Sequence, residues 1–132
     1  MAPAAAEVLY QHFVDFGSKP EDYDAVYTGD LGEVGKKILL HLLRENGYDL
    51  SKVHGDCGIE IYENETQDTH SGGSGCACSA VVLASMIIPK IIDGTWKKVL
   101  FVPTGALMSK TSFNEGENVA GIAHAILLEG VR

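Results

Sequence analysis

The order of elements along this chain predicts an α/β protein, with a layered mixed β-sheet, helices packed on its faces and a C-terminal β-hairpin. Three observations carry that expectation. Helical periods alternate with short apolar runs through most of the chain. The run from Ser74 to Ile92 is apolar on nearly every side, as a covered helix would be. The chain then closes on two strand-like runs separated by a polar turn.

In order, Pro3 suits a first helical turn, and Ala4 to Phe16 follows with Val8, Leu9, Phe13 and Phe16 on one face. Gly17 stops that helix. "SKPEDYD" is a turn, and Ala25 to Thr28 reads as a short buried strand. Asp30 has the form of an N-cap, and Glu33 three residues on completes a capping box. The next helix, Leu31 to Asn46, is expected to turn Leu31, Val34, Ile38 and Leu42 inward and to end at Gly47. Tyr48 to Gly75 is irregular except for "CGIEIYE", where Ile59 and Ile61 alternate with Glu60 as in a strand. From Ser74 a buried helix runs to Ile92, kinked or ended by Pro89, with small residues at its start that let backbones approach closely. "KKVLFVPTGALM" and "NVAGIAHAILLE" form the closing hairpin around "SKTSFNEGE".

With 132 residues the chain is one domain's worth, long enough to bury roughly two thirds of its unfolded surface. A net charge of −8 argues against a nucleic-acid partner, since no basic stripe is available to neutralise phosphates. Cys57, Cys76 and Cys78 make an odd set that suits a reducing compartment, and Cys-x-Cys without a second pair is poor zinc spacing. No basic n-region marks a signal peptide, and no apolar run approaches the roughly 20 residues needed to cross a bilayer. The chain opens directly on a helix, as though a preceding strand belonged to another part of a larger protein.

The stretch "TQDTHSGGSGCACSA" holds the chemistry-bearing candidates. His70 reads equally as a donor to a ligand carboxylate and as an exposed loop histidine. "SGGSG" could cradle an anion with bare N–H groups, although glycines here also serve close helix packing, the more frequent use. Cys76 and Cys78, set within an apolar helix, read as structural thiols. Cys57 reads as a thiol without a role. His12, His41 and His54 lack a partner pattern and read as surface or satisfied core residues, and His124 reads as structural. Glu60, Glu63, Glu65 and Asp68 match no calcium-loop spacing and read as a solvated loop.

Residues and order together resemble the C-terminal half of the thiolase-like superfamily, which includes thiolases and ketoacyl synthases. "MAPAA" opens the first helix, "KPEDYDAVYTGDLG" crosses from turn to strand to helix, "HSGGSGCACSAVV" opens the buried helix, and "VLFVPTGALMS…GIAHAILLE" closes the pattern. The likeness covers nearly all of the chain, so residues 1–132 are expected to form a single thiolase-like half-domain without its N-terminal half. Within the superfamily, "HSGGSGCACSAVVLASMI", "VPTGALMSKTSFNEGE" and "IAHAILLEGV" are most similar to a sporulation branch that serves the movement of dipicolinic acid in and out of bacterial spores.

The resemblance implies a site with its chemistry removed. Gly29 stands where the enzymes carry His or Asn, Val102 stands where thiolases carry a second cysteine, and the third catalytic position falls on Thr69 with His70 one residue away. A glycine cannot hydrogen-bond a thioester carbonyl or take a proton. The expected function is therefore a non-catalytic binder of dipicolinic acid or its calcium chelate, with no cofactor and no resident metal. Its ligand would meet Thr69, His70, Ser71, Gly72 and Gly73 at one rim, Thr104, Gly105 and Ala106 at the other, and Gly29 and Asp30 between them. The expected partners are the other proteins of the same spore transport complex, which would hold it peripherally at the spore inner membrane, and the resemblance admits a homodimer. An active acyltransferase and a docking scaffold are the competing readings.

Overall fold

In the computed structural model, which describes residues 1–106 and 109–131, a four-stranded mixed sheet is covered on both faces by helices. Helix α1 spans Ala2–Phe16, with Pro3 in its first turn and Gly17 in the left-handed conformation at φ 59° closing its end. Its buried stripe is Ala2, Ala5, Ala6, Leu9 and Phe13. Phe16, expected inward, is 75% exposed and lies on the His12 ring with centroids 4.8 Å apart. The stripe runs through the small alanines, which let the helix lie close to its neighbours, and the last turn projects past them.

Strand β1, Ala25–Thr28, falls where the sequence predicts it and is buried throughout. It pairs in parallel with β2, His54–Asp56, on one side and with β3, Lys98–Val102, on the other. The other edge strand, β6, Ile126–Glu129, runs antiparallel to β3, giving the order β2-β1-β3-β6. Alternation along β1 and β3 sends Val26, Leu100 and Val102 toward α1 and the helix that follows β1, and Ala25, Tyr27, Val99 and Phe101 toward the opposite helices. Both faces are covered, so these strands read as continuous apolar runs.

Helix α2, Gly32–Glu45, buries Gly32, Leu39 and Leu43, while Val34 and Ile38 are 60% and 44% exposed. The expected inward face is therefore rotated; Leu31 and Leu42 pack at its margin. The Asp30–Glu33 capping box does not form. Its place is taken by Asp56 at the end of β2, whose carboxylate accepts the N–H groups of Leu31 and Gly32, both at 3.0 Å. An acceptor delivered by the adjacent strand starts the helix, and Asp30 is left to turn elsewhere.

"CGIEIYE" is not a strand. The strand lies just upstream, and Cys57–Glu60 forms a helical turn, α3, begun by Asp56 accepting the Gly58 N–H at 3.1 Å. A second turn, α4, covers Asn64–Gln67. The helix expected from Ser74 begins at Cys78: α5, Cys78–Val82, passes through a π turn, Leu83–Ile87, into α6, Ile88–Ile92. Pro89 has no N–H and crowds the preceding turn, and the wider π turn just before it makes room. The composite helix is not buried on every side. Val82 and Ile87 are covered, whereas Val81, Ile88 and Ile92 are 46%, 40% and 80% exposed.

The closing hairpin is present, but in two parts. After β3, Pro103 interrupts the ladder, and β4, Thr104–Ala106, pairs with β5, Gly121–Ala123, as a separate two-stranded sheet. The polar turn contains a short helix, α7, Lys110–Asn114, capped by the Ser109 hydroxyl accepting the Ser112 N–H at 3.3 Å. The last two residues of the run "KKVLFVPTGALM" lie outside the described residues.

Candidate functional site

The C-terminal ends of parallel strands leave a crevice in α/β sheets. Here Thr28, Asp56 and Val102 end β1, β2 and β3, and just beyond β1 and β3 opens a cleft of about 610 Å³. Its walls are Asp30, the stretch Ser74 to Cys76 with Ser79 at the helix approach, Pro103 to Ala106, and Met1 from the start of α1.

Asp30 organises one wall. Its carboxylate accepts the Ser74 hydroxyl at 2.6 Å and the Gly75 N–H at 3.1 Å, which ties the glycine-rich run to the β1–α2 junction. Gly29 lies beneath the opposite wall. A β-carbon there would stand 2.6 Å from Thr104 Oγ1 and 2.8 Å from Thr104 N, so only glycine lets the β4 turn approach β1 this closely.

The structure thus brings Gly29, Asp30, Thr104, Gly105 and Ala106 together and leaves Thr69 to Gly73 out of the cleft lining. Thr69 donates its hydroxyl to Asn64 Oδ1. His70 has φ 52°, and its side chain is 83% exposed, 3.2 Å from Asp68 in solvent. The Ser71 carbonyl accepts the Glu33 N–H at 2.8 Å. The N–H groups expected to meet an anion are already engaged, Gly72 with Thr69 O at 3.0 Å and Gly73 with Gly58 O at 2.6 Å. The part of the run that reaches the cleft is Ser74 to Cys76.

Sequence reading singled out the SGGSG run, whose Ser74 and Gly75 reach the cleft, and missed Met1, Cys76, Ser79 and Pro103 as lining residues. The available signal was the pair of serine hydroxyls flanking the start of an otherwise apolar helix, together with an aspartate freed from capping. His124 and Ile122 line a hollow of about 420 Å³ that shares Pro103 to Ala106 with the cleft. His12 bonds to the Tyr23 hydroxyl at 2.7 Å and His41 lies 3.5 Å from Glu45 in solvent. Both are placed as the sequence predicts.

Under the cleft floor lies a buried polar set. Thr28 Oγ1 donates to Asp56 Oδ2 at 2.7 Å and sits 2.9 Å from His54 Nε2. Because the single hydroxyl hydrogen goes to the carboxylate, His54 donates from Nε2. Burial pulls the His54 pKa down to about 3, with Lys36 adding to the effect, so it is neutral. Burial also raises the Asp56 pKa, against the hydrogen bonds from Thr28, Gly32, Leu31 and Gly58 that favour its charged form.

The thiols divide by exposure. Cys57 is fully buried and its pKa is pushed up to about 12, by burial first and then by neighbouring Asp56. Burial likewise raises Cys78, with Asp30 and Asp56 contributing. Both stay protonated at neutral pH and are poor nucleophiles. Cys76 is exposed at the cleft. Val102, where the thiolase pattern carries cysteine, is buried in the core. Among the described residues no group of three or more His, Cys, Asp or Glu side chains is placed to hold a metal ion, and no helix is long and apolar enough to cross a membrane.

These features define a mixed-sheet α/β protein with a polar, hydroxyl-lined cleft beyond its parallel strands. Its sequence matches the family model described as "Stage V sporulation protein AD (SpoVAD)" over residues 1–129. It is 45% identical over 129 residues to the stage V sporulation protein AD of Bacillus subtilis (strain 168), across 98% of this chain. The chain belongs to the stage V sporulation protein AD family, and its role lies in sporulation. It spans 38% of the length of that relative.

Proposed function

We propose that this chain is the C-terminal part of a non-catalytic protein that binds dipicolinic acid, or its calcium chelate, for the spore's transport machinery. The observation that carries the reading is the cleft above Gly29, where donors remain but a catalytic set does not. Position 29 offers no side chain, Val102 is core, and Cys57 and Cys78 are protonated and buried. What remains is suited to holding a planar acid. Ser79, Thr104 and the turn at Gly105 and Ala106 line a wall that also carries the apolar ring of Pro103.

Asp30 refines the ligand's form. Its carboxylate opposes a bare dianion, whereas the calcium chelate arrives with that charge neutralised and brings its own metal. In a protein of the relative's length, further chain supplies the remaining walls, and partners in the same complex hold the protein at the spore inner membrane. A homodimer is compatible with this arrangement.

Calorimetric titration of dipicolinate, with and without calcium, into the full-length protein carrying this segment tests the proposal. Saturable heat supports it. Absence of heat at millimolar ligand, combined with labelling by an acyl thioester, would replace it with the acyltransferase reading. Absence of both leaves a docking scaffold.

A further inference from the structure

Two buried side-chain polar atoms among the described residues have no hydrogen-bond partner: His54 Nδ1 and Thr104 Oγ1. The first lies inside the sheet–helix layer. The second belongs to a residue on the cleft wall. Thr104 Oγ1 faces the space above Gly29, and a β-carbon placed there would lie 2.6 Å from it and 3.1 Å from Ser79 Oγ. Two hydroxyls therefore lie close together against Gly29, in the close approach that its missing side chain permits.

An unpaired hydroxyl shielded from water is an unfavourable arrangement, and proteins rarely retain one without a use. Threonine has more than one accessible staggered rotamer, so rotation about a single bond suffices to carry the oxygen from the space over Gly29 toward the cleft. We propose that Thr104 is a stored donor. In the free protein its hydroxyl is held buried and unpaired over Gly29. A ligand carboxylate entering the cleft draws it out to donate, with the Ser79 hydroxyl as the second donor to the same group.

This rests on the ligand-binding reading and adds to it the residues that sense the acid. It also makes a demand that a merely structural threonine does not: stability of the free protein and affinity for the ligand must pull in opposite directions at residue 104. Removing the hydroxyl while keeping the shape relieves the orphaned group and deletes the donor together.

The test uses the full-length protein and dipicolinate, each titration run with and without calcium. Thr104→Val is expected to raise the ligand-free melting temperature by about 2–4 °C. It should also weaken dipicolinate binding by about tenfold or more, the loss expected for a hydrogen bond to a charged acceptor. Thr104→Ser should keep both close to wild type, and Ser79→Ala should weaken binding with little change in melting temperature. Should Thr104→Val not fold, Thr104→Ala shows the same binding loss. Wild-type affinity in Thr104→Val or Thr104→Ala, or a lowered ligand-free melting temperature in Thr104→Val, overturns the proposal. If the wild-type protein itself shows no saturable heat, the ligand reading fails first and the donor role with it. The ligand-free melting temperature of Thr104→Val still reports whether the hydroxyl is stored at a cost.

Discussion

Ser74 donates its hydroxyl hydrogen to Asp30 at 2.6 Å, joining residues 44 positions apart in sequence and closing one wall of the cleft. The same carboxylate receives the Gly75 N–H, so a single side chain fixes the approach to α5. Asp30→Ala is expected to lower stability by only about 1 kcal/mol, because these bonds are exposed to water. It should speed hydrogen exchange at the Gly75 amide by at least an order of magnitude. Unchanged exchange there would show that the run is fixed by something else.

Asp56 holds more. Four hydrogen bonds from Thr28, Leu31, Gly32 and Gly58 converge on its buried carboxylate and join β1, α2 and α3 to the end of β2. Asp56→Ala takes the acceptor from the Leu31 and Gly32 N–H groups and from the buried Thr28 hydroxyl, while Gly58 keeps its bond to the Gly29 carbonyl, and is expected to cost about 3 kcal/mol. Urea unfolding measures it. A loss below about 1 kcal/mol would mean that α2 starts without this cap.

His54 gives stability a defined pH dependence. Its folded pKa of about 3 lies below the ordinary value of 6.5, so the unfolded chain takes up a proton that the folded protein refuses. The stabilisation is complete above pH 6.5 and is lost as pH falls toward 3, at up to about 1.4 kcal/mol per pH unit. Asp56, whose folded pKa is raised, acts with the opposite sign, regaining stability as pH falls toward its ordinary 3.8. The two effects oppose each other, and a His54 variant isolates the His54 contribution between pH 6.5 and 5. His54→Gln should flatten the dependence of the urea midpoint on pH in that window. An unchanged slope would assign it to other groups.

The thiols should separate by rate. Cys76 is exposed, while Cys57 and Cys78 are buried and protonated. A disulfide reagent at pH 8 is expected to modify one thiol within seconds and the other two only on unfolding. Three fast thiols would contradict the packing of α3 against α5.

What the sequence made legible follows physical range. Strand β1 was readable to the residue because four consecutive apolar or β-prone side chains, covered on both faces, leave a signal of their own. Strand β2 was not, because His54, Gly55 and Asp56 carry no hydrophobic period. Its burial depends on Thr28 and on the backbone of α2, more than twenty residues away. The capping box at Asp30 failed for the same reason: a local pattern was overruled by an acceptor from another strand. Of the residues the sequence singled out, Gly29, Asp30 and the Thr104–Ala106 turn lie together at the cleft. The sequence reading misplaced the glycine-run contribution by a few residues, since whether an N–H is free depends on Gly58 and Thr69 carbonyls that only the fold brings near.

That displacement can be tested directly, because it decides where a ligand sits. Calorimetric titration of dipicolinate into the full-length protein should compare His70→Ala with Cys76→Trp, which fills the cleft from an exposed position. The cleft above Gly29 predicts wild-type affinity for His70→Ala and loss of saturable heat for Cys76→Trp. Loss of binding in His70→Ala with retention in Cys76→Trp would contradict it and move the site to the Thr69–Gly73 rim.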